Sequence, residues 1–143
     1  PFDVINRDTG SIFTYEPLEK ASQPWHVCIL FPHVKDIYWV SVAYGVIEEA
    51  RRLGIKATLL EAGGYSNLVR QIAQYDDCVS LGVDAIVLSA CVQMPSLPSV
   101  AKVEALTGKP VLTAAIATTY QMLRALELEP VVPGAGALLS GAY

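Results

Sequence analysis

Gly82-Val83-Asp84-Ala85-Ile86-Val87-Leu88-Ser89 is a short apolar run with no polar alternation, opened by a glycine and followed by a turn-like segment. Apolar on both sides, such a run reads as a strand covered on both faces, the signature of a parallel sheet. The same signature recurs at Trp25 to Phe31, at Ile55 to Leu60 and, shorter, at Pro110 to Thr113. Helical patterns separate these runs. Asp36 opens one with apolar positions Val40, Ala43, Ile47 and Ala50, and Gly54 stops it. Ser66 caps a second carrying Leu68, Ile72 and Val79, stopped by Gly82. A third covers about Ser96 to Leu106 and ends at Gly108; a fourth runs from about Thr118 to Leu126 with Pro130 beyond it. Strand and helix alternate four times, which predicts an α/β flavodoxin-like three-layer sandwich. Its parallel sheet has four to five strands in the order 2-1-3-4-(5) with helices on both faces, the optional strand coming from Val131-Val132-Pro133-Gly134. Residues 1–24 form a polar extension in which Ile12-Phe13-Thr14-Tyr15 alternates like an edge strand.

The totals fit one domain. The chain has 143 residues, enough for a single core. A hydrophobic fraction of 52% is high, yet no apolar run approaches the roughly 18 residues of a membrane span. A net charge of -4 argues against a nucleic-acid surface. Pro1-Phe2-Asp3-Val4 carries no secretory signal, which predicts a cytoplasmic location for the chain as written. Three cysteines, Cys28, Cys78 and Cys91, cannot all pair within one chain, which predicts against a disulfide framework. Two histidines and three scattered cysteines predict no metal site, and no cofactor is expected.

In open parallel sheets ligands sit beyond the carboxyl ends of the strands. After the first strand, Lys35-Asp36-Ile37-Tyr38-Trp39 sets an acid beside two large aromatics. This could hold a methylated ammonium-like group by cation–π contact and one charge; from composition, Asp36 as a helix cap with Tyr38 and Trp39 as packing is the commoner arrangement. After the second strand, Gly63-Gly64 makes a tight turn and Tyr65 projects over the same edge. After the third, Cys91 sits at a strand end before a helix, where backbone N–H groups lower a thiol's pKa and can hold a carboxylate. An inert, partly buried cysteine fits that position as well. After the fourth, Thr113, Thr118 and Thr119 offer hydroxyls suited to capping. Gly134-Ala135-Gly136 precedes no helix of useful length, which excludes a dinucleotide turn.

Residues from about Phe2 to Leu88 resemble the N-terminal lobe of the periplasmic binding proteins, and among them those that bind trimethylamine N-oxide (TMAO) for the TMAO reductase regulatory system. The likeness rests on Trp25-His26-Val27-Cys28, on Lys35 to Trp39 and on Leu60-Glu61-Ala62-Gly63-Gly64-Tyr65-Ser66. It implies a cage containing Asp36, Tyr38, Trp39 and Tyr65, a ligand held between two lobes, and a report to a membrane sensor kinase. The rest of that cage has no counterpart in this chain, and the kinase contact is expected to be lost.

From about Asp84 to Tyr143 the resemblance changes. Ser89-Ala90-Cys91-Val92-Gln93-Met94-Pro95-Ser96, Lys109 to Ala115 and Val131 to Gly141 are similar to the C-terminal end of the maleate cis–trans isomerases, of the cofactor-independent aspartate/glutamate racemase superfamily. Those enzymes use one cysteine from each lobe; Cys91 matches the C-terminal one, and the other is missing. The two likenesses meet inside one buried strand, where Val, Ile and Leu suit either ancestry. That placement predicts an engineered chimera of one domain, residues 25–88 from one source and 89–143 from the other. It is expected to fold without efficient native activity, the alternatives being residual isomerase chemistry at Cys91 and weak single-lobe TMAO binding. Surface once covered by a second lobe predicts self-association as a homodimer or oligomer.

Overall fold

The computed structural model describes residues 2–5, 9–89 and 97–142. Its parallel strands are β3 (His26–Phe31), β4 (Lys56–Glu61), β5 (Ala85–Leu88) and β6 (Val111–Leu112), preceded by β1 (Phe2–Ile5) and β2 (Ile12–Tyr15). The helices are α1 (Ile37–Leu53), α2 (Leu68–Ser80), α3 (Leu97–Thr107) and α4 (Ala114–Ala125). The sheet order is β4-β3-β5-β6, all parallel, or 2-1-3-4 counted along these four strands. The flavodoxin-like expectation holds. The optional fifth strand does not form among the described residues: Val131 makes only an isolated antiparallel bridge to Ser140, and the tail turns through a 3-10 helix at Ala137–Leu139.

Central β3 shows why the strands lack polar alternation. Cys28 and Leu30 point to one face with Ile86 and Val111, while Ile29 and Phe31 point to the other with Trp39. The first face is covered by α2, α3 and α4 through Cys78, Val100, Val103 and Ile116, with Leu139 of the tail. On the second face the packing among the described residues comes from α1, through Trp39, Val42, Ala43 and Val46. Each fully buried aliphatic here contributes roughly 1.5–3 kcal/mol.

Three expectations are corrected. Cys28 of β3 and Cys78 of α2 form a disulfide, with Cα atoms 5.9 Å apart, so the odd third cysteine did not preclude a pair. Ile12–Tyr15 is not an edge of the main sheet; it pairs antiparallel with Phe2–Ile5, Asp3 opposite Thr14, in a separate ribbon. The fourth helix starts earlier than Thr118, because the Thr113 hydroxyl accepts from the Ile116 N–H and caps it there.

The strand expected to hold the junction is continuous with its neighbours. Asp84 N–H donates to the His26 carbonyl and His26 N–H donates to the Asp84 carboxylate, both at 2.8 Å. Val27 then pairs with Ala85 and Leu30 with Leu88 without a bulge. The tail is pinned by Glu104, whose carboxylate accepts from the N–H groups of Val111 and Ala137. Gly136 wraps that carboxylate at φ +85°, and a Cβ there would lie 2.6 Å from Val100 Cγ1. The Gly134-Ala135-Gly136 run is therefore a turn shaped around an internal carboxylate.

Candidate functional site

The loops after β3 and β4 meet at the carboxyl edge of the sheet. Phe31, the last residue of β3, accepts from Ala62 N–H at 3.0 Å, and Pro32 accepts from Gly64 N–H at 2.8 Å. Lys35 Nζ donates to the Gly63 carbonyl at 2.6 Å. Gly63 has φ +84°, and a Cβ there would lie 3.1 Å from Asn67 Nδ2, which itself donates to the Ala62 carbonyl. The Gly-Gly pair thus lets the second loop close under the first.

Three of the four expected cage residues come together on this frame. Asp36 is the N-cap of α1, its Oδ1 accepting from Trp39 N–H at 2.9 Å. Trp39 is 2% exposed, packs its indole on Phe31 with centroids 5.1 Å apart, and donates from Nε1 to the Tyr65 hydroxyl at 2.8 Å. Tyr65 remains 51% exposed. Tyr38 stands edge-on to the Trp39 indole at 5.2 Å but turns outward, 62% exposed. The capping reading of Asp36 and the packing reading of Trp39 therefore both describe what these side chains do.

His33 joins the group and was not singled out as a ligand-site residue from sequence. It is buried, its ring edge-on to Tyr65 at 4.7 Å and to Trp39 at 6.3 Å. Its Nδ1 accepts from Lys35 N–H at 3.3 Å, which leaves the proton on Nε2, 3.7 Å from the Asp36 carboxylate. The imidazole thus braces both Tyr65 and Asp36. A histidine two residues past a strand end, in the loop that holds Asp36, was the available signal.

On the other half of the edge, Ser89 N–H donates to the Leu30 carbonyl at 3.2 Å, where β5 ends. Cys91 follows in the β5–α3 connection and lies outside the described residues, so it is not placed against the cage. Thr113, at the end of β6, is buried as the α4 cap, and Thr118 and Thr119 lie within that helix. Among the described helices, none is long and apolar enough to cross a membrane.

Residues 24–125 match the family described as periplasmic binding proteins and sugar binding domain of LacI family, a match that continues past β5. Two curated relatives match different but overlapping parts of the chain. Periplasmic protein TorT of Escherichia coli is 40% identical over 111 residues, 72% of this chain and 32% of that protein. Maleate isomerase of Pseudomonas putida is 84% identical over 62 residues, 43% of this chain and 25% of that enzyme. A solved complex of the TorS sensor domain with TorT in the presence of TMAO is similar at a TM-score of 0.55 and 37% identity, over 62% of this chain and 29% of that one. The chain spans about a third or less of the length of each relative.

Proposed function

The chain belongs to the family of periplasmic binding proteins and LacI-family sugar-binding domains, and on that footing we propose that it is an engineered hybrid domain that folds without efficient ligand binding or catalysis. A TorT-like part and a maleate isomerase-like part share one sheet, and each brings a fraction of a site. The observation that supports the reading most is the commitment of Trp39: its ring is packed on Phe31 and its N–H is held by Tyr65. Of the three aromatic residues of the expected cage, Tyr38 and Tyr65 are exposed to a TMAO-like ligand and Trp39 is not. Exposed cation–π contacts contribute about 0.5–1 kcal/mol each, whereas association alone costs about 4 kcal/mol or more. Two such rings and the Asp36 carboxylate do not offset that. Calorimetric titration with TMAO is expected to give no binding tighter than millimolar. Sub-millimolar binding that is lost in Trp39→Ala would instead make the chain a single-lobe TMAO receptor.

The 84% identity to maleate isomerase favours a second reading, residual cis–trans isomerase chemistry at Cys91. With one of two cysteines present, conversion of maleate to fumarate is expected to stay at background. Turnover that disappears in Cys91→Ser would establish this alternative.

A further inference from the structure

Two features of α1 fit each other but not within one molecule. The first is a groove. One face of the sheet carries three helices and the other only α1 among the described residues, although parallel sheets are normally buried on both faces. Beside α1 lies an open channel of about 750 Å³ that runs along the sheet. Its floor includes Val87 and Leu112, its far wall is the start of α4 at Ala114 and Ala117, and α1 lines it with Val42 and Gly45. The second feature is a stripe. Ile37, Val40, Tyr44 and Ile47 recur at the helical spacing i, i+3, i+7, i+10 and face solvent, Ile37 at 81% and Tyr44 at 68% exposure. None of the four lines the groove.

We propose that two copies of this chain associate through α1, each setting the outward stripe of its α1 into the groove beside the other's α1. A two-fold axis makes this contact self-complementary, because stripe and groove belong to the same helix and one operation fills both grooves. Each sheet then gains a second helix on its open face. Helix dimensions agree: the stripe spans about 15 Å of an element roughly 10 Å wide. Among the described residues Glu49 is the one charged residue lining the groove, and it is paired with Arg52 of its own helix, so the groove presents no unpaired charge to an apolar stripe. A second copy meets these requirements with residues already present.

Sedimentation equilibrium on the full chain, from about 1 μM to about 1 mM, tests this directly. A reversible dimer is expected. Tyr44→Glu places a charge on the stripe, and Gly45→Leu fills the groove at a position where an added Cβ meets nothing within 4 Å. Each is expected to weaken the dimer by about tenfold or more, with an unchanged circular dichroism spectrum. Gly45→Leu also favours the helix, so it separates loss of the interface from loss of the fold. A monomer throughout, larger aggregates only, or a dimer whose constant neither variant shifts would overturn the proposal.

Discussion

Trp39 is held at both ends, by Phe31 on its face and by Tyr65 at its nitrogen. Trp39→Ala is expected to cost about 3–5 kcal/mol in urea unfolding, as for other buried aromatics. Trp39→Phe keeps most of the volume and loses one hydrogen bond, about 1 kcal/mol; equal losses for the two would contradict the packing account. His26 gives a pH signature. Burial chiefly, with Lys56 nearby, lowers its pKa from the ordinary 6.5, against a smaller opposite effect of Asp84. The unfolded chain therefore binds the proton more readily, so this site's stabilisation is complete above pH 6.5 and is lost as the pH falls through the depressed value. Thermal midpoints of the parent should fall relative to those of His26→Gln between pH 7 and pH 5; parallel profiles would count against it. Asp36 as cap and Gly54 as stop were legible because local rules fix them. The role of His33 was not, since it depends on Tyr65 arriving from another loop.

At the level of elements, α1 shows what periodicity can and cannot tell. The sequence pattern picked out Val40, Ala43, Ile47 and Ala50 as the apolar positions, whereas the sheet is met by Trp39, Val42, Ala43 and Val46. Both stripes have helical spacing, and spacing does not say which one finds the sheet. The disulfide was invisible for a related reason: the alignment of Cys28 with Cys78 needs α2 laid across β3. Closing 50 residues of sequence is worth about 4 kcal/mol on chain-entropy grounds. Cys78→Ala should therefore lower the urea midpoint of oxidised protein by a large step, and the parent should show the same step when reduced. No difference between oxidised and reduced parent would contradict the link. Gly136→Ala should also destabilise, by about 1 kcal/mol or more, because φ is +85° and Val100 occupies the Cβ position.

Over the whole molecule, two sequence likenesses fall on a chain that the sheet does not divide. The pairing of β3 with β5 runs through the expected junction without a break, and Asp84 clasps His26 there. The strand and helix alternation was readable because burial on two faces dictates composition whatever the source. The candidate site was only partly readable, since which side chains the loops expose depends on packing: Trp39 went inward and Tyr38 outward. The hybrid reading thus rests on a cage whose central ring already belongs to the core. Its most direct test follows the Trp39 indole N–H resonance by nuclear magnetic resonance, assigned with Trp25→Phe, as TMAO is added to the full chain. The expected result is a signal that does not move in a saturable way below about 1 mM TMAO. A saturable shift with a sub-millimolar midpoint would mean that the indole is available to a ligand, and that the half-cage is a working site.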